Sequence, residues 1–148
     1  MQQSGRKYVD LLDTGAMYKR VGNYEEAQKL YEEAIHIDHT NPIAYFNLGK
    51  LFNILKDYEA SARAYKVAYD LKYNDETVLL IHLGHTLLDE KNEREWEYRE
   101  IVAYYRQSID PYSKINGRKV LSPSAGKLSK YNKKCLAAAK KFIDTFEV

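Results

Sequence analysis

Four residues recur at one fixed interval in the first half of this 148-residue chain. Gly15 returns as Gly49, Tyr24 as Tyr58, Tyr31 as Tyr65 and Ala34 as Ala68, each 34 residues later. Self-similarity at such a period is the mark of a stacked repeat, and it limits the architecture more tightly than composition does. A looser third copy follows. Gly49 returns as Gly84 after 35 residues, whereas Tyr58, Tyr65 and Ala68 align with Tyr98, Tyr105 and Ser108 after 40. The difference places an insertion between Gly84 and Tyr98, with Lys91-Asn92-Glu93-Arg94-Glu95 as its expected location.

Each copy reads as two helices. Leu11, Thr14, Gly15 and Tyr18 share one face at spacings of three and four, and Ala27, Leu30, Tyr31 and Ala34 share another. Gly22-Asn23 separates them, with Asn23 and Glu26 spaced as a capping box. Asn41-Pro42 opens the next pair, and a proline in a helix's first turn gives up no needed N–H. The second copy runs Tyr45, Leu48, Gly49, Phe52, a turn at Lys56-Asp57, then Tyr58, Ser61, Tyr65, Ala68. The third runs Leu80, Leu83, Gly84, Leu87, a turn near Lys91-Asn92, then Tyr98, Ile101, Tyr105, Ser108. A mid-helix glycine costs about 1 kcal/mol against alanine, a cost accepted where a partner helix must come close. Ala27, Ala34, Ser61 and Ala68 offer small surfaces at the same crossings. The 14 tyrosines fill the remaining space, with their hydroxyls at an edge. A helix pair of this kind cannot bury its apolar face alone and stacks on its neighbours.

The motifs Leu11-x-x-Thr14-Gly15-x-x-Tyr18…Ala27-x-x-x-Tyr31, Tyr45-x-x-Leu48-Gly49-x-x-Phe52…Ser61-x-x-x-Tyr65 and Leu80-x-x-Leu83-Gly84-x-x-Leu87…Ile101-x-x-x-Tyr105 resemble the tetratricopeptide repeat. The third departs from that pattern by its insertion and by Ile101, where a small residue is usual. The resemblance implies an all-α fold, a right-handed superhelix of antiparallel helix pairs, in a single domain. Repeats are expected at about 8–41, 42–75 and 77–115. A loop follows at 112–126, rich in Gly, Pro, Ser and Asn without period. A capping helix is expected at about 127–146, its stripe formed by Leu128, Tyr131, Cys135, Ala138, Phe142 and Phe146, docked on Ile101, Tyr105 and Ile109. Seven helices are expected in all.

The resemblance also implies a concave surface for a protein or peptide partner. Its lining maps to Val9, Leu12, Ala16, Lys19 and Arg20 on the first helix. Ile43, Phe46, Asn47, Lys50, Asn53 and Ile54 follow on the third helix, and Val78, Ile81, His82, His85 and Asp89 on the fifth. Lying off the core stripe, Leu12 and Phe46 are expected to be exposed anchors, removable without loss of helicity. Some family members clamp the carboxylate tail of heat-shock chaperones with lysines, asparagines and an arginine. The matching positions here are Leu12, Ala16, Asn47, Val78 and His82, of which only Asn47 fits. The expected function is a non-catalytic adaptor gripping an extended peptide or amphipathic helix. A small secretion-type chaperone is the alternative, and a second copy of the chain or its own C-terminal segment is the competing occupant of the groove.

Composition excludes other classes. No apolar run approaches the ~20 residues of a membrane span. The start of the chain lacks the apolar stretch of a secretory signal, and the single cysteine, Cys135, can form no internal disulfide; together these suggest a cytoplasmic protein. Residues 1–110 hold 14 Lys/Arg against 19 Asp/Glu, whereas residues 111–148 hold 9 against 2. That basic end, with Arg118, Lys119, Lys127, Lys130, Lys133, Lys134, Lys140 and Lys141, suggests nucleic-acid or anionic-surface binding only weakly, because its aromatics fall on the apolar stripe. His82 and His85 share one helix face and could share a metal but have no third ligand of convincing spacing, and His36, Asp38 and His39 cluster at a helix end where a cationic ring complements the dipole, so no metal site is expected. Gly126-Lys127 lacks the remaining residues of a phosphate loop. No cofactor is expected.

Overall fold

The computed structural model of the protein describes residues 2–90 and 130–146, all-helical apart from short turns. Six helices are found among them. They are α1 (Gln2–Arg20), α2 (Tyr24–Ile37), α3 (Pro42–Ile54), α4 (Tyr58–Asp70), α5 (Glu76–Glu90) and α6 (Lys130–Phe146). They pack as pairs, α1 with α2, α3 with α4 and α5 with α6, with α2 also against α3. The chain forms two compact units, Met1–Asn74 and Asp75–Val148.

In the first unit the turns fall where the sequence places them. Gly22, at φ +85°, takes the left-handed conformation that ends α1, and Lys56, 34 residues on, does the same at φ 63° to end α3. In both turns a backbone N–H reaches back to close the helix end: Asn23 to the Tyr18 carbonyl and Asp57 to the Phe52 carbonyl, each 2.9 Å. The same residues then cap the following helices. Asn23 Oδ1 accepts from Glu26 N, and Asp57 Oδ1 accepts from Ala60 N at 3.2 Å. The backbone N–H of Asn23 is taken by Tyr18, so the reciprocal half of the capping box is replaced by the turn itself. Asn41 Oδ1 accepts from Ile43 N at 3.0 Å, with Pro42 as the first residue of α3.

The two glycines sit against tyrosine rings. A Cβ at Gly15 would meet Tyr31 Cε1 at 2.6 Å, and one at Gly49 would meet Tyr65 Cε1 at 2.5 Å. Ser61 Oγ donates to the Gly49 carbonyl at 2.7 Å across the same crossing. Tyr31, Tyr65, Ala27, Ala34, Ser61 and Ala68 are all buried.

In the second unit α5 is capped by Asp75, whose Oδ1 accepts from Val78 N at 3.2 Å. The atoms nearest its glycine are backbone. A Cβ at Gly84 would fall onto the Cys135 carbonyl group, with the Cys135 Cα at 2.5 Å. Among the described residues α6 therefore stands against Gly84 as α2 and α4 stand against Gly15 and Gly49. The expected second helix at 98–108, the insertion at 91–95, the loop at 112–126 and the dock on Ile101, Tyr105 and Ile109 lie outside the described residues. The stripe of α6 runs through Tyr131, Cys135, Ala139 and Ile143, all buried, with Ala138 and Phe142 half-buried beside it. It is turned slightly from the expected line, because Ala139 and Ile143 continue the i, i+4 row of Tyr131 and Cys135.

Candidate functional site

Helices α1 and α3 lie side by side and run in the same direction. Near their starts, the Tyr8 hydroxyl accepts from Ala44 N at 3.0 Å and donates to the Asn41 carbonyl at 3.4 Å. Near their ends, the Lys19 charge reaches Lys50. Between these points Leu12 joins Tyr8, Ala44, Leu48 and Leu51 in the core of the unit.

This packing buries Leu12 and Phe46, against the expectation that they are exposed anchors. Leu12 is 8% exposed and Phe46 1%. Neither is a free anchor, and both close the core. Leu12 is held between α1 and α3. Phe46 stacks on Tyr73 (ring centroids 4.4 Å apart, planes at 22°) and tilts against Tyr65 at 5.7 Å. On α5, Val78, Ile81 and His85 are buried too, as is Asp89. In Val78-Leu79-Leu80-Ile81 four consecutive apolar residues cover most of one turn, so this part of α5 presents no single stripe against a wet face. His85 Nε2 lies 3.5 Å from Asp89 Oδ2, one turn on, and its ring meets the Tyr131 ring edge-on at 6.3 Å. His82 is half-buried on the same helix.

What remains on the α1–α3 face is polar and cationic with an apolar border. Ala16, Lys19, Asn47, Lys50 and Asn53 are half-buried, and Arg20 is exposed. Ile43 and Ile54 stand out at 43% and 45% exposure. Lys50 follows Phe46 by four residues, so it rises over that ring, its Nζ 4.8 Å from the centroid. Burial, and then the charge of Lys19, pull the Lys50 ammonium down to about 8. Burial and the charge of Arg20 lower Lys19 in the same sense. Sequence reasoning named both lysines but missed their coupling and the aromatic floor. The i, i+4 spacing of Phe46 and Lys50 was the available signal. Tyr73, in the turn after α4, gave none.

Among the described residues no three His, Cys, Asp or Glu side chains gather as metal ligands. Asp38 is held low by the hydroxyl and N–H of Thr40 beside it. His36 and His39 are exposed. Cys135 is fully buried. Lys130, Lys133, Lys134, Lys140 and Lys141 are exposed on α6 while Tyr131 is buried, so the basic face has no stacking platform at Tyr131. No helix of the described residues is long and apolar enough to cross a membrane.

Two family models match the chain. One, described as TPR repeat, covers residues 15–53, and the other, described as tetratricopeptide repeat, covers 43–75. Together they span α2, α3 and α4 and the second part of α1. No curated protein matches the chain at a significant level.

Proposed function

We propose, from the premise that residues 15–75 are tetratricopeptide repeats, that the chain is a non-catalytic protein-interaction module. In this reading it acts as an adaptor or scaffold that holds a peptide or an amphipathic helix along α1 and α3. Repeats of this family generally mediate protein–protein contacts. The observation that carries the reading is the α1–α3 face itself. A closed core, sealed by Leu12 and Phe46, supports a border of exposed Ile43 and Ile54 around half-buried Lys19, Asn47, Lys50 and Asn53. Apolar side chains exposed beside polar ones on a rigid support are what a partner surface needs. Leu12, Phe46, Val78, Ile81 and His85 contribute by shaping and stiffening their units and not by touching the partner.

Affinity capture from cell extract with the wild-type chain and with Lys19→Glu/Lys50→Glu tests the proposal. The wild type should retain proteins that the charge-reversed chain loses, with both chains assayed at a temperature at which each is fully helical. Identical captured sets would place the binding surface elsewhere.

A further inference from the structure

Helix α6 holds five lysines and one acid, Asp144, in 17 residues. Lys130, Lys133, Lys140 and Lys141 are all exposed. At about 100° of rotation per residue they fall within about 100° of one another, on the side opposite the buried row of Tyr131, Cys135, Ala139 and Ile143. Lys134 lies beside them, and the face is complete without it. Among the described residues no carboxylate, Asp144 included, comes within ion-pair distance of these four lysines. Helix α4 shows the usual arrangement of a solvated face. There Arg63 pairs with Glu59 and Lys66 with Asp70, each one turn apart.

Local helix energetics do not account for the lysines of α6. A helix dipole favours acids in the first turn and cations in the last. The described span of α6 has no acid in its first turn and no base in its last. Lys130 and Lys133 occupy the first turn, Asp144 lies in the last, and residues 121–129 before the helix contain no acid either. Lys130 and Lys133 are also three residues apart, where like charges repel along a helix. The face therefore keeps its charge against two local preferences, and a negatively charged surface laid on it would relieve both.

The face is also held in a fixed orientation. The Cys135 backbone sits against Gly84, so α6 cannot rotate without opening that crossing. Lys130 and Lys141 stand about 16 Å apart along the axis, with exposed Ala137 between them. None of the exposed large hydrophobic residues found among the described residues lies on α6. Such a helix can rest on a charged plane but brings no bulky apolar group to insert. It contains no arginine, the residue whose planar fork grips phosphates at fixed sites. Its Tyr131 is buried and cannot stack on a base. Lysines, as flexible point charges, suit a fluid surface whose own charges move to meet them.

We propose that the outer face of α6 is a second interaction surface, which adsorbs to a membrane rich in anionic lipid headgroups without entering the hydrocarbon. It belongs to the second unit and does not depend on the α1–α3 face. Lysine clusters of this size on a helix are drawn to anionic leaflets once they come within a Debye length.

The test is co-sedimentation of the full chain with vesicles of about three parts phosphatidylcholine to one part phosphatidylserine, or of phosphatidylcholine alone. The chain should bind the mixed vesicles about a hundredfold more strongly than the neutral ones. It should leave them when salt rises from about 0.1 M to about 1 M, as the screening length shrinks. Lys130→Gln/Lys133→Gln/Lys140→Gln/Lys141→Gln should abolish the preference with an unchanged circular dichroism spectrum, since all four side chains are exposed. Lys7→Gln/Lys29→Gln/Lys56→Gln/Lys72→Gln removes the same charge from exposed positions of the first unit and should keep the preference. Equal loss in the two variants would overturn the assignment to α6. Binding to neutral vesicles that survives high salt would contradict a non-inserting contact, and no sedimentation with either vesicle would overturn the proposal outright. A DNA duplex that displaces the chain from the mixed vesicles at equal total charge would assign the face to nucleic acid and overturn the lipid assignment.

Discussion

At Gly49 an added methyl group would meet Tyr65 carbons at 2.5 and 2.6 Å, and the ring is 1% exposed. Alanine there gains about 1 kcal/mol of helix propensity, but overpacking a filled crossing costs about 1–3 kcal/mol. Gly49→Ala should therefore lower stability in urea unfolding by about 1 kcal/mol, despite the better helix former. Lys56 offers the opposite case. It holds φ 63°, a conformation that costs a residue with a Cβ about 1–2 kcal/mol, and its repeat partner is Gly22. Lys56→Gly should raise stability by about 1 kcal/mol in the same assay. The sequence makes both legible, because a 34-residue shift superposes Gly15 on Gly49 and Gly22 on Lys56. It does not reveal the role of Phe46. A phenylalanine one residue off a core stripe looks free until Tyr73 is seen to cover it. Phe46→Ala is expected to cost about 3–5 kcal/mol, as for other buried aromatics, which contradicts the harmless truncation that spacing alone suggests.

At the scale of helices, the third pair departs from the first two in the group that faces its glycine. In α1–α2 and α3–α4 a tyrosine ring fills the space, whereas in α5–α6 the Cys135 backbone itself is there. A ring can tilt by a few tenths of an ångström, but a backbone moves only with its helix. Gly84→Ala should accordingly do more damage than Gly49→Ala, and do it locally. Hydrogen exchange should show the amides of α6 losing protection, with those of α1–α4 unchanged. The periodicity of Leu80, Leu83, Gly84 and Leu87 showed that a close helix partner was required, but not which segment supplies it, because Tyr131, Cys135 and Ala139 have the same spacing as Ile101, Tyr105 and Ile109. Helix α5 hid its burial in a similar way. Its run Val78–Ile81 is apolar all round, and Val78 and Ile81 are 2% and 1% exposed, where helix phase alone had set them beside half-buried His82.

Across the whole molecule, the desolvated lysines make stability depend on pH in a predictable sense. Lys50 has its ammonium lowered to about 8 in the folded chain, against about 10.5 when unfolded. Between those values the unfolded state binds the extra proton, so stability rises as pH increases from 7 to about 9.5. Tyr8 and Tyr31, raised by burial, oppose this only above their ordinary range near 10. Lys50→Met should therefore be more stable than wild type at pH 7 and should lose most of that advantage by pH 9.5, measured by chemical denaturation. The helical repeat class was readable from recurrence alone, because stacking imposes its period on the sequence. The binding face was readable only in part, since helix phase tells which residues lie together and not which of them a neighbouring ring will cover. The central claim is that partners are held on the α1–α3 face, and site-specific photocrosslinking tests it most directly. A benzophenone amino acid placed at Asn47, on that face, should crosslink a discrete set of proteins in cell extract that Lys19→Glu/Lys50→Glu eliminates. The same label at Glu33, exposed on α2, should not capture that set; equal capture from both positions would contradict the account.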